Sequence, residues 1–166
     1  MKGNRIRGLH EHIFHLSKEH PPRTALLDCD SEGNILREIS FGELAKEIES
    51  AASYLFGLGI GKGDKVALAF KNSSELLIIS WAAWSAGIIT VPLDTKRDTN
   101  EQHAYKIKLN NAKFVIAQKN ALKDADLDHL QKENVSIVEF SGFAAAGHKK
   151  VEWEEGLSHQ ALVLLT

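Results

Sequence analysis

The sequence has little of what marks several common protein classes. Its 166 residues include 1 cysteine (Cys29), 3 prolines and 1 methionine. A single cysteine excludes an internal disulfide and fits a reducing compartment, so we expect a cytoplasmic protein. The 20 basic and 22 acidic residues give a net charge of −2. This balance gives no reason to expect nucleic acid or an anionic membrane as a partner.

Long apolar runs are also missing. The N-terminal stretch MKGNRIRGLHEHIF lacks the apolar core of roughly 7–15 residues that a secretory signal needs. Residues 76–93 carry no charge, but two serines, Gly87, Thr90 and Pro92 interrupt them. A membrane span needs ~20 predominantly apolar residues. The run therefore predicts a buried helix that leads into a buried strand, and no span.

The remaining composition is typical of one globular domain, because 43% of the residues are hydrophobic and 25% are charged. Apolar periodicity predicts strands and helices that alternate along the chain. Strands are predicted at residues 25–29, 35–39, 65–70, 88–93, 113–118, 136–140 and 161–165, and helices at 9–20, 75–86, 101–110 and 121–131, with another from residue 40 to the glycine at 57 or 59. This order predicts an α/β fold with a mainly parallel sheet flanked by helices and a small N-terminal β-hairpin.

The glycine-rich segment GLGIGKGD at residues 57–64 is similar to a phosphate loop at first sight. Its glycine spacing fits neither the dinucleotide pattern nor the Walker pattern. Phosphate loops also connect a strand to a helix N-terminus, whereas this segment follows the helix that Ser40 and Glu43 open with capping-box spacing. It therefore predicts a helix-to-strand turn.

The other candidate site residues have plain structural interpretations. The cluster HEHIFH at residues 10–15 lacks zinc-protease spacing, and we expect its histidines to face solvent. Trp81 and Trp84 share a helix face, which favours the core or a subdomain interface. Cys29 is expected to pack as a small apolar residue. Asp94 follows a parallel strand, so it lies either in a ligand cleft or against local N–H groups.

Four motifs occur in one order between residues 39 and 118: SFGEL at 40–44, GKGDKVA at 61–67, NSSE at 72–75 and WSAGIITVPLD at 84–94. In this order and spacing they closely resemble the N-terminal region of the acyl-adenylate-forming enzymes, which are AMP-dependent synthetases and ligases such as acyl-CoA synthetases. ALVLLT at 161–166 resembles the strand that leads into the ATP-phosphate loop of that family. Thr95 departs from the pattern, because the family often has proline there.

The resemblance implies that residues 1–166 are a single partial domain, part of the large N-terminal domain, which ends at the start of the ATP-phosphate loop. It implies ATP-dependent activation of a small-molecule carboxylic acid to an acyl-adenylate in the full-length parent, followed by thioester formation with coenzyme A. ATP, magnesium and coenzyme A are implied for that parent, and no cofactor for the fragment. Thr166 alone matches a nucleotide-binding position, as the first residue of the phosphate loop. No catalytic or metal-binding residue is implied.

The family's phosphate loop and C-terminal lysine have no counterpart in these residues, so we expect the fragment by itself to be inactive. The alternative is a non-catalytic α/β binding or assembly module that docks onto a partner chain. A small doubly wound nucleotide binder is a third interpretation, which the failed glycine spacing disfavours. In the full-length parent, other parts of the enzyme are expected to cover some of the surface of these residues. In the fragment that surface would be exposed, and we expect it to support a homodimer.

Overall fold

Helices and strands alternate along the chain as the apolar periodicity predicts. A computed structural model describes residues 8–122, 130, 134–143, 150–155 and 162. The elements in this part of the chain are α1 (Leu9–Glu19), β1 (Thr24–Cys29), β2 (Ile35–Ser40), α2 (Phe41–Gly57), β3 (Lys65–Ala69), α3 (Ser74–Ser85), β4 (Ile89–Pro92), α4 (Asn100–Asn110), β5 (Phe114–Gln118) and β6 (Ser136–Phe140). The predicted helix 121–131 and strand 161–165 lie largely outside the described residues.

A four-stranded parallel sheet forms the centre of the fold, in the order β4-β3-β5-β6. Leu162 pairs in parallel with Thr90 and so continues the sheet beyond β4. The chain steps from β3 to β4 in one direction and then from β4 past β3 to β5 in the other. Ile78 and Ile79 of α3 belong to one apolar core and Ile107 of α4 to another, so the two helices cover opposite faces of the sheet. This is the arrangement that right-handed crossovers require. The predicted α/β class is confirmed.

The two faces of the sheet belong to two separate apolar cores, since successive strand residues point to opposite sides. Val66, Leu68 and Ile116 face the larger core, which α1, α2 and α3 cover. Ala67 and Val115 face the smaller core beneath α4. Both faces of the central strands are therefore buried, which explains why β3 and β5 are nearly continuous apolar runs.

Helix α2 begins and ends where its sequence predicts. The Ser40 hydroxyl accepts a hydrogen bond from the Glu43 backbone N–H at 3.3 Å, and the Glu43 carboxylate accepts one from the Ser40 N–H at 2.9 Å. This reciprocal capping box satisfies two N–H groups that the helix cannot pair internally. At the other end Gly59 adopts a positive φ of 82°, and the Ile60 N–H donates to the Leu55 carbonyl at 3.0 Å.

The N-terminal hairpin, β1 paired antiparallel with β2, is confirmed and joins the α/β core through polar contacts. The Asp28 carboxylate accepts hydrogen bonds from the backbone N–H and the hydroxyl of Ser74, at 2.9 and 2.8 Å. Arg37 forms ion pairs with Glu47 of α2 and, at 3.9 Å, with Glu75 of α3. These contacts attach the hairpin to the N-terminus of α3, where a carboxylate is favoured.

Two side-chain predictions are wrong. Cys29 is exposed rather than packed, because it is the last residue of β1 and pairs with Ile35, which is itself exposed. His10 is only 8% exposed and does not face solvent, because the ring of Trp153 stacks on it. Trp81 packs against the larger core as expected, and Trp84 donates a hydrogen bond to the Thr90 hydroxyl at 2.8 Å. Of the helices described, none is long and apolar enough to cross a membrane.

Candidate functional site

The carboxyl edge of the sheet carries the candidate site. Strands β3 and β4 are parallel neighbours, so the segments that follow them, 70–73 and 93–99, lie at the same edge. Ligands of open α/β sheets bind at this edge, where the strand order reverses. A cleft of about 550 Å³ opens at this edge, beside the ends of β3 and β4. It is lined by Leu68, Phe70, Lys71, Asn72, Leu76, Pro92, Leu93, Asp94, Thr95, Lys96, Arg97, Asp98 and Lys106.

Asp94 shapes the cleft by folding the loop after β4. Its carboxylate accepts hydrogen bonds from the backbone N–H groups of Lys96 and Arg97, both at 3.0 Å. These bonds, the one from Lys96 foremost, lower the pKa of the Asp94 carboxyl. Of the two interpretations that the sequence leaves open, local N–H binding is the one observed. Asp94 nevertheless lines the cleft, so it sets the loop's shape at the site.

A mostly buried ion pair supports the same loop from below. The Lys106 ammonium lies 2.5 Å from the Asp98 carboxylate, and their side chains are 16% and 12% exposed. Asp98 also accepts a hydrogen bond from the Asp94 backbone N–H at 3.2 Å. His103 is buried beside them, with Nε2 3.3 Å from the Asp94 carbonyl and 3.9 Å from the Asp98 carboxylate. These contacts fix residues 94–98 against α4.

The cleft carries a local positive charge that the overall composition hides. Its lining holds four cationic side chains and two carboxylates, which gives a net charge of +2. Lys106 is neutralised by Asp98, and the Arg97 guanidinium is 89% exposed and 3.6 Å from Asp94. Lys71, Lys96 and Arg97 therefore provide the positive rim. Cations in such an arrangement favour a phosphate or carboxylate group.

Gln118 closes the neighbouring part of the edge, between β3 and β5. Its side-chain oxygen accepts a hydrogen bond from the Lys71 backbone N–H at 2.9 Å, and its amide nitrogen lies 3.5 Å from the Ser73 hydroxyl. The Gln118 side chain therefore bridges the crevice between β3 and β5, where the strand order reverses. The open cleft is displaced toward β4 and the strand position marked by Leu162.

An apolar cavity of about 320 Å³ adjoins the cleft on the α3 face of the sheet. Leu68, Asn72, Leu76 and Pro92 line both cavities, and Leu162 lies on the apolar side. The Trp84 ring forms part of the same wall. The site is thus a cationic cleft that continues into an apolar recess, an arrangement suited to a ligand with an anionic and an apolar part.

The family of this chain is given by comparison with known proteins. A model of the AMP-binding enzyme family, described as "AMP-binding enzyme", matches residues 13–162. The chain belongs to the AMP-binding enzyme family. It is 34% identical over 94 residues to the crotonobetaine/carnitine–CoA ligases of Escherichia coli (strain SE11) and Escherichia fergusonii, a match that covers 57% of this chain and 18% of each ligase. The chain thus spans less than a fifth of the curated relatives it matches.

Solved structures agree on the fold of this chain. The N-terminal domain of FACL13 from Mycobacterium tuberculosis superimposes with a TM-score of 0.80 at 18% identity, over 97% of this chain and 42% of that one. The O-succinylbenzoate coenzyme A synthetase (MenE) from Bacillus subtilis, in complex with AMP, gives 0.76 at 18% identity, over 93% and 38%. This chain is therefore folded as the N-terminal region of adenylate-forming enzymes.

The described residues of the cleft fit a phosphate group better than they fit a metal ion. Lys71, Lys96 and Arg97 supply charges of the required sign at an open cleft. Within the described ranges, no group of three or more histidine, cysteine or acidic side chains could hold a metal. Thr166, the predicted nucleotide-site residue, lies outside the described residues, so its role remains a prediction.

Sequence reasoning missed the cationic rim. Lys71 directly follows the predicted strand 65–70, and Lys96 and Arg97 follow strand 88–93 by a few residues. Basic residues just after the carboxyl ends of two consecutive parallel strands were a usable signal, because those ends meet at one edge. The overall charge of −2 masks this local excess.

Proposed function

We propose that this chain is the N-terminal part of an enzyme that activates a carboxylic acid with ATP and then transfers the acyl group to coenzyme A. In such an enzyme the acid's carboxylate attacks the α-phosphate of ATP and pyrophosphate leaves. The family match over residues 13–162 and the similarity to coenzyme A ligases support this proposal. Because the chain covers 18% of those ligases, the activity is proposed for the whole protein.

The cationic cleft carries the proposal for this region. We infer that Lys71, Lys96 and Arg97 contact a phosphate group of ATP or of coenzyme A. Charge-assisted hydrogen bonds to phosphate are roughly twice as strong as neutral ones, and Arg97 can bind two oxygens at once. The exposure of the Arg97 side chain leaves it free to turn from Asp94 toward a ligand. Asp98 and Lys106 would hold the loop in place while the rim binds.

We expect residues 1–166 by themselves to release no pyrophosphate from ATP. The sequence has no Thr-Ser-Gly-rich segment that ends in Pro-Lys-Gly, the family's phosphate loop. Adenylate transfer depends on positioning and on donors aimed at the developing charge. A cationic rim without those donors binds phosphate without accelerating the reaction. Pyrophosphate release by the purified chain, above a no-protein blank, would show that this expectation is wrong.

A chimera tests the proposed function. The region of the Escherichia coli crotonobetaine/carnitine–CoA ligase that matches this chain is replaced by this chain's residues, and acid-dependent pyrophosphate release is measured. We expect a folded, active chimera whose activity falls at least about tenfold in the triple variant Lys71→Ala, Lys96→Ala, Arg97→Ala, since each lost phosphate contact costs about 1–2 kcal/mol.

The matched control for the chimera is a double variant of exposed lysines on the helices, Lys18→Ala with Lys46→Ala, which should leave activity unchanged. A chimera that is folded but inactive would contradict the proposal and favour a non-catalytic binding or assembly module. Equal activity of the rim variant and the control would contradict the role of the cleft.

Self-association and cytoplasmic location remain predictions. The exposed apolar side chains of the hairpin, Leu27 at 52%, Ile35 at 58% and Leu36 at 68%, support association of two copies of this chain. Sedimentation equilibrium of the chain, with Leu36→Glu as the comparison, measures it. A monomer at high concentration would contradict the homodimer.

A further inference from the structure

Residues 150–155, here called the strap, cross the amino edge of the sheet and are held at Glu154. The Glu154 backbone N–H donates to the Ser85 carbonyl at 2.7 Å, at the end of α3. The Glu154 carboxylate lies 2.6 Å from the Lys62 ammonium, which precedes β3. The Glu154 side chain is 16% exposed and lies against the protein, whereas the Lys62 side chain is 70% exposed.

The strap also docks through Trp153, which covers His10 of α1. The two rings stack with centroids 4.9 Å apart and an interplanar angle of 17°, and Phe14 meets the Trp153 ring edge-on at 5.4 Å. A Cβ at Gly8 would lie 2.7 Å from the His10 ring and 2.8 Å from the Glu154 carbonyl. The absence of a side chain at Gly8 therefore allows this close approach.

His10 is enclosed in a way that suits a neutral ring and opposes a charged one. It is 8% exposed, and its Nδ1 is buried without a hydrogen-bond partner among the described residues. Burial lowers the pKa of His10, against the smaller opposing effects of two carboxylates, Glu11 on α1 and Glu155 on the strap. A proton on Nδ1 would thus sit between apolar rings without an acceptor, which costs free energy.

We propose that His10 is a pH-dependent latch for the strap, which stays docked while the His10 ring is neutral and loosens when the ring is protonated. The strap ends seven residues before Leu162, which pairs with Thr90 beside the cleft. The latch at the amino edge therefore lies on the chain segment that leads to the strand next to the candidate site. This proposal stands apart from the proposed function.

The direction of the pH effect follows from linkage. With the strap docked, His10 binds its proton less readily than a solvent-exposed histidine, whose pKa is about 6.5. Strap docking is therefore complete above about pH 6.5 and weakens as the pH falls below that value, because the undocked state binds more protons.

Hydrogen exchange by NMR tests the latch on the whole chain. The amide of Glu154 reports docking, and that of Leu55, buried near the C-terminal end of α2, serves as the internal reference after correction for intrinsic rates. Between about pH 7.5 and about pH 5 we expect Glu154 to lose protection several-fold relative to Leu55. His10→Phe keeps an aromatic stack without a titrating group. In this variant the ratio of Glu154 protection to Leu55 protection should therefore stay constant over this pH range.

His12→Gln is the matched control, because His12 is an exposed histidine on the same helix. It should behave as the wild type does. Lys62→Met should lower protection at every pH and keep the pH dependence, which separates the latch from the Glu154 ion pair. The proposal would be overturned if the protection of Glu154 relative to Leu55 did not change with pH in the wild type. It would also be overturned if His10→Phe lost this protection to the same extent as the wild type.

A second measurement covers the case in which His10→Phe does not fold. In Trp153→Leu, the titration midpoint of His10, followed by its ring ¹³C signal, should rise toward the value of about 6.5 that is usual for a solvent-exposed histidine. An unchanged midpoint would also overturn the proposal, because His10 would then not sense the strap.

Discussion

The two edges of the parallel sheet differ in how they are built. At the amino edge, backbone groups meet directly: the Gly63 N–H donates to the Gly87 carbonyl at 2.8 Å, and the strap lies across Ser85. At the carboxyl edge, charged side chains surround an open cleft. Backbone hydrogen bonds thus join the loops at the amino edge, whereas an open cleft with a cationic rim lies at the carboxyl edge.

The difference follows from the direction of the strands. Each β-strand of a βαβ unit ends where a helix begins, so free N–H groups and loop side chains gather at the carboxyl edge. Here Ser73 and Asp28 occupy the N–H groups at the start of α3, and Gln118 bridges the adjacent crevice. The protein has thus filled part of this edge and left the β4 side open. Variants at the two edges separate the contacts that stabilise the fold from the rim that is proposed to bind a ligand.

The largest expected effect concerns the ion pair under the cleft. Lys106→Met leaves the Asp98 carboxylate mostly buried without its partner, which should cost about 3 kcal/mol of unfolding free energy. Urea denaturation measures this loss. Lys113→Met, at an exposed lysine before β5, is the control and should change stability by less than about 0.5 kcal/mol. Equal effects of the two variants would mean that the pair does not support the loop.

Gly87 offers the next largest effect, at the amino edge. Its φ is 71°, and a Cβ there would approach Lys62 Cγ to 3.1 Å and the Glu154 carboxylate to 3.3 Å. We expect Gly87→Ala to cost about 2 kcal/mol, from backbone strain and crowding together. Gly59, at φ 82° with nothing within 4 Å, has the strain alone. Gly59→Ala should therefore cost only about 1 kcal/mol in the same denaturation experiment.

A smaller effect is expected at the hairpin. Hydrogen bonds from Ser74 lower the pKa of Asp28, so the ionised carboxylate stabilises the fold above the unfolded-state value of about 4 and this contribution fades at lower pH. Asp28→Asn should cost about 1 kcal/mol at neutral pH. The difference from wild type should shrink when denaturation is repeated near pH 3. A difference that is independent of pH would contradict the role of the charge.

The smallest effect on stability is expected at the rim of the cleft. Lys96 and Arg97 are exposed and contribute no packing that the structure shows, so replacing both by alanine should change unfolding free energy by less than about 0.5 kcal/mol. A loss comparable to that of Gly87→Ala would remove the contrast between the rim and the contacts that stabilise the fold.

Local signals in the sequence predicted most of the fold. The capping box at Ser40 and the glycines at 57 and 59 indicated the limits of α2, and continuous apolar runs indicated β3 and β5. These features depend on neighbours within a few residues, so they can be predicted from the sequence alone. The family resemblance, confirmed by the match over residues 13–162, rested on the same local motifs in order.

Contacts between distant residues were harder to predict. His10 is buried because Trp153 reaches it from the far end of the chain, and the rim joins Lys71 to Lys96 across a whole βα unit. A partial signal existed for His10, which shares a helix face with Ile13 and Phe14 at i+3 and i+4. The exposure of Cys29 could not be inferred, because it depends on what covers the hairpin.

The most direct test of the account is a pyrophosphate titration of the ¹⁵N-labelled chain. Amide shifts should concentrate at Lys71 and residues 94–98, leave Lys62, Gly63 and Gly87 unchanged, and largely vanish in the variant Lys96→Ala, Arg97→Ala. Shifts centred on the amino edge, or shifts of equal size in wild type and variant, would contradict the claim that the carboxyl edge is the ligand-binding edge.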